Sequence, residues 1–393
     1  MADPTPPGAA APAVAPGQDA DIGAERRQLK GLFFWYFGYV GILSPYLSLY
    51  LADRGFDVTQ IGVLLAVPQV LRIVSPQFWG WLADRGGRQV TWLRLSGLLS
   101  LAVILLLAWA SAAGFWPLVM LMVVLSLASG AQVPIGEART LAVTRGDAGA
   151  YGRIRLWGSI GFILGVMGIG PVLDRIGLAT LPIWLALTLA GLLAVVWQMH
   201  ERPLTGPSAA ADRPVWRMLG QAQVGSFFAA NFLMIFSHAA LYVLYSLLLA
   251  EFGYSKSAIG LLWAIGVVVE VLLFRFQKAV FDRWSALGLL AFSLAVAALR
   301  FALIGASAGW LPVLVLCQLM HAITFGLHHS AVMRVLHLWF DARQQGRAQA
   351  LYITIAYGMG GSLGGLAVSA LWSRVSPAAA FHGAALAALA SSR

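Results

Sequence analysis

The chain has 393 residues, 60% hydrophobic and 11% charged, with a mean hydropathy of +0.79, which excludes an ordinary soluble domain and points to an integral membrane protein. Its net charge of +10 does not indicate nucleic acid, because no soluble face exists to gather a basic patch. Cys317 is the single cysteine, so no intrachain disulfide can form and redox chemistry says nothing of compartment.

Residues 1–24 are rich in Ala and Pro and lack the apolar core of a signal peptide. They are expected to be a disordered cytoplasmic tail before an uncleaved first span. Apolar runs of about 20 residues predict spans near 31–51, 60–81, 90–110, 117–138, 154–172, 180–199, 221–249, 257–280, 286–306, 311–336, 348–371 and 378–392. The last is short and small-residue-rich, and its end is expected to fray. The longest polar loop, 200–218, is expected to separate an N-terminal half, 25–199, from a C-terminal half, 219–393.

Loop charge sets the expected orientation. With the N-terminus inside, cytoplasmic segments carry Arg26, Arg27, Lys30, Arg85, Arg88, Arg139, Arg145, Arg153, Arg202, Arg213, Arg217, Lys278, Arg283, Arg343 and Arg347. The opposite loops carry only Arg54, Arg175, Lys256 and Arg374. The high pI therefore reflects topology, without a polyanionic partner.

An internal repeat supports two halves. GFDVTQIGVLLAV at 55–67 resembles GYSKSAIGLLWAI at 253–265, and the same offset maps Asp84-Arg85 onto Asp282-Arg283. Gly152-Arg153 and Gly346-Arg347 match at a slightly shorter offset. The repeat also sets Arg72 opposite Glu270, placing opposite charges at corresponding depths.

Charged residues inside apolar spans are functional candidates. Glu137 closes the fourth span and Arg155 opens the fifth. A guanidinium offers a planar fork of donors to a hydroxyl, a carboxylate or a neighbouring glutamate, so this pair suits a sugar, an organic acid or a structural ion pair. Glu270 lies mid-span, where an unpaired carboxylate costs less as the neutral acid, making it the first candidate for a coupled proton. His238 lies among Phe236, Tyr242 and Tyr245, which either line a cavity or pack between helices. His328 and His329 cannot both face one cavity. Metal binding is not expected without nearby carboxylate or cysteine ligands.

The segment GWLADRGGR at 80–88 resembles the loop signature of major facilitator superfamily transporters in Gly80, Asp84, Arg85 and Arg88. There the aspartate can cap a helix end and pair with arginines, a cytoplasmic latch whose second copy is Asp282 and Arg283. YGRIRLWGSIGF at 151–162 and GYSKSAIGLLWAIGVVVEV at 253–271 resemble the phenylpropionate permease branch, related to the lactose permease. That resemblance implies paired roles for Glu137 and Arg155, and proton coupling through Glu270, Arg300 and His321. Three positions depart from the lactose permease pattern. Thr324 replaces a glutamate, Gln318 a lysine, and Phe162 stands where a tryptophan stacks on sugar.

The resemblance implies an all-α bundle of twelve spans in two pseudo-symmetric halves working by alternating access. The expected activity is proton symport of a small organic solute, led by an aromatic acid such as 3-phenylpropionate. Solute contacts are expected from Glu137, Arg155, Phe162, His238 and Arg72, the last either a second cation for such an acid or a snorkelling side chain. Galactosides, other sugars, nucleosides and efflux by antiport are the alternatives, and a transport-dead sensor is a remoter one. No organic cofactor, metal or enzymatic nucleophile is expected. The expected setting is a monomer in a bacterial-type inner membrane.

Overall fold

Backbone polar groups in hydrocarbon must be satisfied within the chain, and apolar runs of this length do so as helices. The computed structural model describes residues 18–109, 114–145, 147–201 and 220–391, with the backbone alone at 18–20, 84, 86, 109, 342 and 343. It contains α1 (Asp21–Asp53), α2 (Val58–Ala83), α3 (Gln89–Ala108), α4 (Phe115–Thr144), α5 (Ala148–Ile176) and α6 (Leu178–Trp197). These are followed by α7 (Ala222–Glu251), α8 (Lys256–Phe281), α9 (Ala286–Ser307), α10 (Leu311–Trp339), α11 (Gln344–Arg374) and the shorter α12 (Pro377–Ala390). Despite its length α12 is well seated. Ser376 caps its start, and Phe381, Ala384 and Ala388 are fully buried.

One boundary differs from expectation. The first helix already begins at Gln18, so residues 18–24 are helical, not disordered. Glu25 explains why this end holds: its carboxylate accepts from the buried Arg139 of α4, which also donates to the His200 carbonyl beyond α6 at 3.0 Å. Arg139, read from sequence as a loop charge, thus ties three helix ends together. Residues 1–17 of the expected tail, and 202–218 of the expected central loop, lie outside the described residues.

Polar side chains finish other helix ends. Glu201 accepts from the Val90 and Thr91 amides at the start of α3, while Arg94 of α3 donates to the Trp197 and Met199 carbonyls at the end of α6. Carboxylate at an N-terminus and guanidinium at a C-terminus both suit the helix dipole. Between α4 and α5, the Ala150 and Gly149 amides hold the exposed Asp147 carboxyl below its usual range.

Packing repeats as the sequence does. α1 lies on α5 as α7 lies on α11; α2 meets α4 as α8 meets α10; α3 meets α6 as α9 meets α12. Across the two sets, α2 packs on α11 and α5 on α8. Glycines let these helices approach. Gly161 faces the backbone of Phe34, so Gly161→Leu would drive a side chain into main-chain atoms. We expect it to cost about 1–3 kcal/mol or more, read as lost monodisperse, thermally stable protein in detergent. Gly168→Leu, where nothing lies within 4 Å, should leave that profile unchanged.

The two sets are joined firmly at the face away from the chain's ends. Asp174, closing α5, accepts from the Lys256 amide at 2.8 Å, from the Ser257 amide at 2.9 Å and from the Ser257 hydroxyl. Tyr46 of α1 donates towards the Val166 and Lys256 carbonyls, and Thr59 of α2 meets Ser373 of α11 at 3.0 Å. Nearer the other face the signature residues stay within their own set. Arg85 lies 4.4 Å over Trp81, and Lys278 pairs with Asp282 at 2.7 Å. Arg88 and Arg283 are exposed, and Gly87 takes a left-handed turn in the loop beyond α2. The Asp84 side chain lies outside the described residues.

Several helices are interrupted. α2 breaks after Leu71 and restarts at Ser75, and α4 breaks at Gly130. Ser75 and Trp79 donate to the Leu127 carbonyl near that second break. In the second set, α7, α10 and α11 open into π-helical stretches at Ala240–Leu244, Ala322–Leu327 and Ile353–Gly360. Such bulges often mark functional sites.

Candidate solute and proton site

In the first set, Glu137 and Arg155 meet, with Nε 3.6 Å from Oε1. The pair is not sealed, since 31% of the Arg155 side chain and 39% of the Glu137 side chain remain exposed. Aromatic rings on α1 shape this pair: Arg155 lies 4.2 Å from the Phe37 ring centre and 5.1 Å from that of Phe33. Gly158, one turn on, leaves room for the Arg155 fork and the Phe37 ring.

Arg72 sits at the break in α2, where the chain cannot complete a regular turn. Its side chain is exposed and lies 5.4 Å over the Tyr357 ring of α11, with no ion pair among the described residues. Tyr36 of α1 packs edge-on against Phe37, 5.4 Å between ring centres. A guanidinium with no carboxylate partner keeps water where it can, and aromatic contact replaces burial.

The second set carries a denser network. Arg300, fully buried on α9, donates to His321 Nδ1 at 3.1 Å, Thr324 Oγ1 at 3.0 Å and Gln318 Oε1 at 3.2 Å. Gln318 and Thr324 are two of the positions at which the chain departs from the lactose permease pattern, and here both serve as neutral acceptors for Arg300. Glu270 of α8 does not reach Arg300. It faces His321, with Oε2 3.9 Å from Nε2. Arginine only donates, so the Nδ1 atom facing it is the acceptor and the His321 proton belongs on Nε2, towards Glu270. Phe325 stacks on the His321 ring, 5.3 Å between centres and 7° from parallel.

Two expected solute contacts are placed elsewhere. His238 is fully buried, with Nδ1 2.9 Å from the Met234 carbonyl and Nε2 3.4 Å from the Thr324 hydroxyl. It braces Thr324 and presents no surface to a solute. Phe162 is half-buried against the core, and its backbone abuts Gly41 of α1. His328, by contrast with a cavity role, is buried between Asn231 at 3.0 Å and Ser293 at 2.8 Å.

Sequence reasoning missed the aromatic partners Tyr36, Phe37, Phe325 and Tyr357. Helical spacing gave no signal for the last two, because π-helical turns shift which side chains share a face.

A repeated membrane bundle with charged groups embedded in the spans of both halves, and no cluster of metal-ligating side chains among the described residues, has the layout of a secondary transporter. The chain belongs to the MFS_1 like family, whose model matches residues 26–383; it is a multi-pass major facilitator transporter, not an enzyme. It is 32% identical over 347 residues to the probable 3-phenylpropionic acid transporter of Escherichia coli (strain K12), covering 85% of this chain and 86% of that one. It is 26% identical to the maltose permease of Geobacillus stearothermophilus, over 86% and 85% of the two chains. Among solved structures, a crystal structure of the nucleoside transporter NupG superposes with a TM-score of 0.78 at 17% identity, covering 94% of this chain and 97% of that one. A proton dependent oligopeptide transporter structure reaches 0.71 at 13% identity over 94% and 97%. These two likenesses are of fold.

Proposed function

We propose that the protein carries a small aromatic carboxylate, 3-phenylpropionate being the leading solute, into the cell together with a proton. The observation that carries this reading is a pair of guanidiniums, Arg155 and Arg72, each against aromatic rings, with an acid, Glu270, on the opposite helix set from both. A carboxylate needs charge-assisted donors and an aryl group needs ring faces. The likeness to the phenylpropionic acid transporter supports the same class.

Proton coupling follows from Glu270 and its neighbours. A carboxylate solute brings one negative charge, and a proton on Glu270 offsets it, so the loaded carrier moves without net charge. Loss of that proton leaves a Glu270 carboxylate that accepts from His321 Nε2–H and favours an imidazolium, whose second proton can enter only at Nδ1, the atom that Arg300 holds. The Arg300 to Nδ1 bond must then break. Release of the proton and rearrangement of the helix carrying Arg300 are thereby linked. Glu137 competes with the solute for Arg155, holding the fork in place while the site is empty.

Alternating access takes place between the two helix sets, with the N-terminus and both signature loops on the cytoplasmic side of an inner membrane. In that orientation the Asp174 face is extracytoplasmic and shut, and the site opens inward. Gly80, Asp84, Arg85, Arg88, Asp282 and Arg283 act in the outward-open state, when the cytoplasmic ends meet.

Arg72→Gln separates solute recognition from the proton steps. Losing one charge-assisted contact of about 1.5–3 kcal/mol should weaken half-saturating 3-phenylpropionate about 10–100-fold. Uptake by proteoliposomes driven by an inward proton gradient measures this. Unchanged half-saturation would remove Arg72 from the site.

A further inference from the structure

Where α1 meets α5 near the chain's N-terminal end, a cavity of about 380 Å³ is lined by Arg27, Lys30, Gly31, Phe34 and Trp157. Four of these come from α1 at successive turns and so share one face. Gly31 has no side chain to fill the floor, and Val195 of α6 stands against it. Phe34 and Trp157 form one wall, rings 6.3 Å apart, and Trp157 is 40% exposed on the outside of the bundle. Among the described residues no carboxylate lines the cavity, and neither cation has an ion pair.

The cavity also sits at a defined level. The apolar run of α1 begins at Gly31, so Arg27 and Lys30 lie where hydrocarbon gives way to headgroups. Trp157 is at that level too, as is the exposed Trp197 at the end of α6, matching the aromatic belts of membrane interfaces. Two cations above two aromatic rings, open sideways from the bundle, complement a molecule with an anionic head and an apolar tail. We infer that this cavity is a binding site for the phosphate headgroup of an anionic phospholipid, with Arg27 and Lys30 on the phosphate and an acyl chain along Phe34 and Trp157.

The site lies apart from the solute residues, so its test does not depend on transport. The protein is reconstituted in phosphatidylcholine vesicles containing increasing fractions of brominated phosphatidylglycerol or, separately, brominated phosphatidylcholine. Quenching of Trp157 is read as the difference between the parent protein and Trp157→Phe. The expected result is half-maximal quenching at a several-fold lower fraction of the anionic lipid. The double variant Arg27→Gln/Lys30→Gln should bring the two lipids to equal quenching, while Arg27→Lys/Lys30→Arg should retain the preference and report on folding. Equal quenching of the parent protein by both lipids would overturn the site, as would a preference surviving the neutral double variant. Inorganic phosphate is added as a competitor. Full loss of the preference at millimolar phosphate, beyond that produced by sulfate at equal ionic strength, would show a free-phosphate site and overturn the lipid assignment.

Discussion

Proteoliposomes containing Glu270→Gln are expected to exchange labelled 3-phenylpropionate with solute trapped inside, yet to accumulate none above the level of empty vesicles when an inward proton gradient is imposed. Glutamine keeps the size of the neutral acid, so a carrier locked in that form still binds the solute and still changes conformation with the solute aboard. It has no proton to release. The other titratable group in direct line is His321, whose Nε2 lies 3.9 Å from Glu270 Oε2 and whose Nδ1 accepts from Arg300. Without a carboxylate at position 270 to favour an imidazolium, that histidine remains neutral and its bond to Arg300 persists. Exchange without accumulation is the signature of a missing proton step. Loss of both activities in folded protein would instead make Glu270 part of solute binding, and full accumulation would move the proton to another group.

Asp174→Ala is expected to shift the resting carrier towards opening at the face away from the chain's ends. Asp174 crosses between helix sets and gathers two amides and a hydroxyl at the start of α8. Those amides lie at the positive end of a helix dipole, where a carboxylate is favoured. Ser255 already caps the Ala258 amide within α8, so the variant removes a bond between sets without unravelling the helix itself. A loss of about 1.5–3 kcal/mol corresponds to roughly a tenfold or larger change in the ratio of closed to open forms. The measurement is alkylation of a cysteine introduced at Val166, which is fully buried and whose carbonyl faces Tyr46 and Gly260 in the closed face, in a background where Cys317 is replaced by serine. Faster labelling in the Asp174→Ala variant is the expected result. Equal labelling rates would mean that the glycine contacts alone hold this face.

The helices were legible because apolar length is a strong signal, and the repeat at 55–67 and 253–265 was legible because both copies meet the same packing demands. Arg155 and Glu137 could be paired from sequence because one closes an apolar span and the other opens the next, on either side of one short loop. Arg300 could not be placed in the same way. Its acceptors Gln318, His321 and Thr324 sit on a helix that opens into a π-helical stretch just after His321, where ordinary spacing fails to say which side chains point together. His238 read as a cavity residue because aromatics surround it in sequence, yet its neighbours in space are Met234, Thr324 and Phe301. The Asp174 bridge joins residues 82 and 83 positions apart, and no local pattern signals such a contact. Glu25 and Arg139 escaped notice for the same reason, since a charge near a helix end reads as a solvated loop residue until a distant partner covers it.

Coupling of solute and proton is the centre of the proposed function. The most direct test is the external pH of a weakly buffered, de-energised suspension of cells making this protein, recorded as 3-phenylpropionate is added and compared with cells making Glu270→Gln. A transient alkalinisation with the parent protein, absent from the variant and from cells without the protein, is the predicted result. Protein-dependent entry of labelled 3-phenylpropionate with no accompanying change in pH would contradict proton symport.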